Sequence, residues 1–152
     1  MKPYKSFIRS ILKIQRTCQL YIYPRIAKFG VGRGQWYFLN RLLFENDGLN
    51  QETLSEEMVV DKAHTTRAIR NLEENGFVCC QKDEIDGRKK KVFVTEKSRE
   101  IESDYHQIFK DLNAILVKDF SGEEKEALRN YLHRMMNNIQ EFIDESERTS
   151  GH

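Results

Sequence analysis

The sequence is poor in the features that announce an enzyme, a secreted scaffold or a membrane protein. It holds only three cysteines, an odd number, and no secretory leader is expected at its start. That excludes a disulfide framework and points to a reducing, cytoplasmic setting. No apolar run approaches the length of a membrane span, so the bilayer is not an expected partner. Internal repeats and low-complexity linkers are lacking too. At 152 residues the chain is expected to form one domain, 1–152.

Chemistry-bearing motifs are equally scarce. His64, His106, His133 and His152 lack metal-ligand spacing, so neither a metal nor a cofactor is expected. Gly30, Gly32 and Gly34 follow a helical pattern rather than a strand, which makes them a turn and not a dinucleotide fingerprint. There is no phosphate-cradling glycine loop, nucleophile elbow or catalytic acid pair. An enzyme is not expected.

What is present is a polarised charge distribution. The net charge is only +1, yet residues 1–44 carry nine Lys or Arg and no acid. Residues 100–148 carry twelve acids against six bases. A basic front suits a protein that turns one side toward a polyanion. Attraction between the two ends is the alternative use of the same asymmetry.

The most informative stretch runs from Asp61 to Thr95. Asp61 is suited to an N-cap, its carboxylate accepting from first-turn amides at the positive end of the helix dipole. Thr65, Ala68, Ile69 and Leu72 then fall on one helical face. At roughly 100° per residue, Ala63, His64, Arg67, Arg70 and Asn71 are placed on the opposite face, with Thr66 on the flank. Those side chains offer donors to phosphates and base edges, and Ala63 a methyl for thymine. Gly76 ends the helix after Asn75. Phe77–Lys82 and Lys91–Thr95 read as two strands around Asp-Gly turn chemistry. The ribbon tip carries Arg88, Lys89, Lys90 and Lys91, four cations expected to repel one another unless a polyanion takes them. Asp86 is close enough to brace Arg88, and an Arg held at such a tip suits a narrow minor groove. A reader helix followed by a basic ribbon is the layout of a winged helix-turn-helix, and duplex DNA is the expected partner.

The flanks read as helices. A long first helix is expected from about Lys5 to Phe29, with Phe7, Ile11, Ile14, Cys18, Tyr21 or Ile22, and Ile26 as its apolar stripe. Pro24 should kink or break it. A second helix over about Gln35–Glu45 turns Trp36, Leu39, Leu42 and Leu43 inward and ends at Asn46-Asp47-Gly48. Asn50 caps a short third helix, Gln51–Met58, which offers Gln51 and Thr53 as candidate phosphate contacts. After the ribbon, Lys97–Asp119 carries Ile101, Tyr105, Ile108, Leu112, Ile115 and Leu116 on one side. Ser121-Gly122-Glu123-Glu124 is a capping box for the last helix. There Leu128, Tyr131, Leu132, Met135, Ile139, Phe142 and Ile143 form a stripe too long for a small monomer to bury, so a homodimer is expected. Two reader helices about 34 Å apart would then meet successive major grooves.

Taken together, these pieces resemble the MarR-type transcriptional regulators over about the whole chain. The resemblance rests on Asp61-Lys62 opening the reader helix, Thr66-Arg67 within it, and Leu72-Glu73-Glu74-Asn75-Gly76-Phe77-Val78 closing it. Asp86-Gly87-Arg88 with Val92 and Thr95 downstream matches the family's wing. Cys80, Ser98 and the Leu54-Ser55 pair depart from the family's usual Arg, Gly and Leu-Ala. The resemblance implies a mainly α fold: a winged helix-turn-helix at 35–97 with a small hairpin wing, and dimerisation helices at 1–30 and 120–147. It implies a homodimeric, DNA-binding regulator, a repressor on a pseudo-palindromic operator, released by a small ligand. Lys62, Ala63, His64, Thr66, Arg67, Arg70 and Asn71 are the candidate reader contacts. Asp86 and Arg88 serve the minor groove, while Lys89, Lys90, Arg33 and Gln35 steady the backbone. Tyr21, Trp36, Tyr37 and Phe38, with Arg16 or Arg25, are candidates to hold a small aromatic or anionic effector. A redox input through Cys18 and a purely protein-binding winged helix remain as alternatives. Cys79 and Cys80, adjacent on a strand, point to opposite faces and cannot chelate together.

Overall fold

The computed structural model describes residues 6–45 and 47–150. Of the residues named above, Lys5, Asn46 and His152 lie outside that set. Among the described residues six α-helices and three short strands follow one another: α1 (Phe7–Ile26), α2 (Trp36–Phe44), β1 (Leu49–Asn50), α3 (Gln51–Met58), α4 (Lys62–Glu74), β2 (Val78–Lys82), β3 (Lys90–Val94), α5 (Glu96–Leu116) and α6 (Gly122–Ser150). They group into two compact units, one reaching to Leu112 and the other beginning at Asn113.

Helix α1 does not break at Pro24. It runs on to Ile26 and tightens into a single 3-10 turn, Ala27–Phe29. Proline costs one helical hydrogen bond, and here the loss falls in the last turn, where few bonds remain to be disrupted. Of the expected α1 stripe only Ile22 and Ile26 are buried, while Phe7, Ile11 and Ile14 are exposed. Helix α2 buries Leu39, Leu42 and Leu43 as expected, and Phe38 as well. Trp36 is half-buried, stacked on Phe109 of α5 at 5.5 Å between ring centroids.

The core of the first unit closes around Tyr105, whose ring is fully buried among Phe29, Phe44 and Phe109. Its hydroxyl donates to the Trp36 carbonyl at 3.0 Å, and burial pushes its pKa well up, so it stays a neutral donor. Arg41 ties α2 to α3 through Glu57, Nε to Oε2 at 2.7 Å. On α5, Ile108 and Leu112 are buried, but Ile115 and Leu116, expected on the same inward side, are exposed. Both belong to the second unit, which begins at Asn113.

The sheet has the order β1-β3-β2, all antiparallel. Strand β3 is central, Val92 facing Leu49 on one side and Cys80 on the other. Asp47 fastens its base. One carboxylate oxygen accepts from the amides of Gly48 and Val94 at 3.1 and 2.9 Å, and the other pairs with Arg99 of α5 at 3.1 Å. Gly48 is required beside it: its φ is +77°, and a Cβ there would come within 2.7 Å of the Phe93 ring.

Helix α6 starts at the expected capping box. The Ser121 amide donates to Glu124 at 2.7 Å, and the Glu124 amide donates to the Ser121 hydroxyl at 3.1 Å. From Tyr131 to Ile143 its large apolar side chains are exposed, Phe142 at 66%. No helix among the described residues is long and apolar enough to cross a membrane.

Candidate nucleic-acid interface

Helix α4 is fixed at both ends and along one side. Asp61 caps it, accepting from the His64 amide at 2.7 Å. Gly76, at φ +77°, lets the chain leave after Asn75, and the Phe77 amide donates back to the Leu72 carbonyl at 2.8 Å. Thr65, Ala68, Ile69 and Leu72 are buried. The other side presents Lys62, Ala63, Thr66, Arg67, Arg70 and Asn71 to solvent.

His64 departs from that face. It is half-buried, its ring 6.0 Å from the buried Phe38. Residue 64 lies roughly 100° from Thr65, at the rim of the apolar stripe rather than opposite it.

Two hydroxyls hold α4 against α3. The Ser55 Oγ and Thr65 Oγ1 atoms are 2.7 Å apart in the core, with the carbonyls of Gln51 and Asp61 at 2.9 and 3.2 Å beyond them. Two protons serve three contacts, so the chain of bonds runs in one direction or the other. Ser55, which replaces the family's alanine, is thus satisfied rather than stranded. Ser98 is likewise buried and donates to the Phe77 carbonyl. At the outer edge of the same helix pair, Thr66 donates to the Gln51 side chain at 3.2 Å.

The wing strands span Val78–Lys82 and Lys90–Val94, each within one residue of expectation at either end. Their turn is organised by Asp83. Its carboxylate accepts from the amides of Ile85 and Asp86 at 2.8 and 3.3 Å and faces Lys91 at 3.7 Å. Those two amides, and then Lys91, hold its pKa below the ordinary carboxylate value. Asp86 braces Arg88 as anticipated, Oδ1 to Nε at 3.3 Å and to the Arg88 amide at 3.2 Å. The Arg88 side chain is otherwise 92% exposed. Part of the charge run is met inside the chain: Lys91 faces Asp83, and Lys89 faces Glu52 of α3 at 3.6 Å, while Lys90 forms no ion pair among the described residues.

The two residues assigned to the DNA backbone from the loop before α2 have intramolecular contacts. Gln35 is half-buried and accepts from the Gly32 amide at 3.2 Å. Arg33 is exposed, with its guanidinium 4.8 Å from the Tyr23 ring centroid.

Beside α4 the first unit contains a cavity of about 540 Å³. Trp36, Tyr37 and Phe38 line it as expected, but Tyr21, Arg25 and Arg16 do not. Tyr23 and Arg33 stand in their place, with Cys18 and His64 also in the wall. Tyr21 and Arg25 are one helical turn apart and satisfy each other. The guanidinium lies 3.6 Å over the ring and donates to the Tyr21 carbonyl at 2.8 Å. Arg16 is on the solvent side of α1. Among the described residues no group of His, Cys, Asp and Glu is placed to hold a metal.

A supporting helix, a capped and exposed reader helix and a basic β-ribbon, in that order, define a winged helix-turn-helix regulator of transcription. The MarR family model matches residues 35–90, from the start of α2 into β3. The HTH-type transcriptional regulator YybA of Bacillus subtilis (strain 168) is 36% identical over 89% of this chain and 89% of its own. A MarR transcriptional regulator from Methanosarcina mazei Go1 is 38% identical, covers 91% of this chain and 99% of its own, and superposes with a TM-score of 0.82. A MarR family transcriptional regulator from Listeria monocytogenes, crystallised with a 26mer DNA, is 28% identical over 90% of each chain with a TM-score of 0.84. The chain belongs to the MarR family, a family of transcriptional regulators and not of enzymes. These relatives lend no support to the redox alternative raised by Cys18.

Proposed function

We propose that this chain works as a homodimeric repressor that binds a pseudo-palindromic operator in duplex DNA in the cytoplasm. The observation that carries the reading is the pairing of an exposed cationic face on α4 with a wing whose Arg88 is braced by Asp86 yet almost wholly open to solvent. Arg67, Arg70, Thr66 and Ala63 are offered to the major groove, with Lys62 and Asn71 at its flanks. Arg88 is offered to the minor groove, where a pre-oriented guanidinium loses less freedom on binding. Lys89, Lys90, Gln35 and Arg33 are assigned to the phosphate backbone. His64, at the rim of the buried stripe, is assigned to the flank of the reader rather than its centre. Pairing of the exposed α6 stripes in two copies supplies the twofold that an inverted repeat requires.

Selection of bound oligonucleotides from a random pool tests the reading directly, and an inverted repeat is expected. On that duplex, Arg88→Ala should weaken binding and lower the slope of log K against log salt by about one unit. Unchanged affinity removes Arg88 from the interface. Arg70→Ala should relax preference at one base position per half-site, whereas uniform weakening would mark Arg70 as a phosphate contact.

A small aromatic or anionic effector is the reading for the cavity beside α4. Its wall combines Trp36, Tyr37 and Phe38 with Arg33, and it includes His64 of the reader helix itself. Calorimetry with salicylate-like anions should show binding that Arg33→Ala weakens. The absence of heat together with unaltered operator affinity would dismiss the effector.

A further inference from the structure

Glu52 on α3 stands between the two parts of the interface. One carboxylate oxygen faces Lys62, the first residue of the reader helix, at 3.7 Å, and the other faces Lys89 of the wing at 3.6 Å. Arg88 and Lys90 join Glu52, Asn50 and Gln51 around an open groove of about 350 Å³. A single carboxylate thus bridges two ammonium groups in a groove that a guanidinium also lines, a set of donors suited to a phosphate. The site does little for the fold. All three side chains are about half exposed or more, and exposed pairs at such distances stabilise a protein weakly. Their effect falls on the next anion to arrive.

We propose that Glu52 is a built-in substitute for a DNA phosphate, which occupies Lys62 and Lys89 in the free protein and so limits affinity for duplex. This rests on the DNA-binding reading above. While Glu52 keeps its charge, two lysines count as one net positive charge. An incoming phosphate must either take the lysines from Glu52 or bind beside a like charge. Both routes cost affinity, and neither depends on base sequence. The carboxylate thus holds down sequence-independent binding, leaving a larger share of the discrimination to Arg67 and Arg70. A purely positioning role makes the opposite prediction. If Glu52 held the lysines in the geometry a phosphate needs, losing its charge would weaken binding.

The test is titration of a fluorescently labelled mixed-sequence duplex, followed by anisotropy over roughly 50 to 200 mM salt. Glu52→Gln is expected to tighten binding and to steepen the log K against log salt slope by about 0.9, one more counterion released. That slope corresponds to roughly a fivefold gain near ~150 mM salt. Lys89→Met should remove much of the gain when combined with Glu52→Gln. Glu56→Gln, one turn along the same helix, changes net charge equally but forms no ion pair among the described residues. It should give a clearly smaller gain. Weaker or unchanged binding by Glu52→Gln overturns the proposal, and so does an equal gain from Glu56→Gln. Wild-type protein that binds no duplex at low salt removes the DNA-binding reading and this inference together, whereas duplex binding without a Glu52 effect removes the inference alone.

Discussion

Cys80 replaces the arginine that the family usually carries at this strand position, and its surroundings fix its chemistry. The residue is half-buried, and its amide donates to Glu73 Oε1 at 3.0 Å. Burial first, and then the Glu73 carboxylate, push the thiol from an ordinary 9.0 up to about 11. The thiolate is the reactive species, so Cys80 should be inert near neutrality and alkylate about tenfold faster with each unit by which pH rises toward that value. Glu73→Gln should bring the onset to lower pH, read by mass spectrometry of iodoacetamide-treated protein. The sign for stability follows from the same shift. The folded state holds the proton more tightly, so this contribution is fully present below pH 9 and is lost between 9 and about 11. Ser55 illustrates the reverse substitution, where a hydroxyl in place of a methyl finds Thr65 Oγ1 2.7 Å away and fastens α3 to α4.

At the scale of elements, the reader helix depends on its first turn, because every candidate major-groove contact lies within three turns of Asp61. Removing the cap with Asp61→Ala should cost about 1 kcal/mol in urea unfolding. It should also speed amide exchange at His64, whose proton the carboxylate now accepts. Protection at His64 equal to wild type would show that the turn is held by packing alone. This helix was legible in the sequence from cap to cap because its signals are local: an acid at the start, a period of 3.6 and a glycine at the end. The wing was legible for the same reason, and Asp86 bracing Arg88 spans only two residues. What could not be read depends on contacts distant in sequence. Strand β1 is two residues long, too short for any alternation, and exists only because Leu49 pairs with Val92. Asp47 looked like part of a helix-ending turn, yet it fastens β3 to α5. Glu52 carries no local signal, and its two lysine neighbours come from α4 and the wing, 10 and 37 residues further along the chain. The cavity wall was expected on the wrong side of α1: Ile22 and Tyr23 line it, and Tyr21 does not. Tyr21 and Tyr23 lie roughly 200° apart on α1, and the apolar pattern alone left the facing residue open between Tyr21 and Ile22.

Helix α6 bears on how the chain assembles. Tyr131, Leu132, Met135, Met136, Ile139, Phe142 and Ile143 are all exposed along one 29-residue helix. Soluble proteins rarely leave so much contiguous apolar surface open to water. Every member of the buried apolar cluster lies at or before Leu112, so none of these side chains belongs to it. In the proposed homodimer a second copy of the same helix would cover this stripe, and closed twofold symmetry would also couple the reading of two half-sites. Ile139→Asp combined with Phe142→Asp places two charges where the partner stripe would pack. Because both positions are already exposed in the protomer, helicity by circular dichroism should be nearly unchanged. Sedimentation should show a dimer for the wild type and a protomer for the variant. Affinity for an inverted repeat should fall to that for a single half-site, since the second reader is no longer delivered with the first. A variant that still sediments as a dimer would move the interface away from α6. A wild type that sediments as a protomer at micromolar concentration would leave the stripe without its proposed cover and the operator without its expected symmetry.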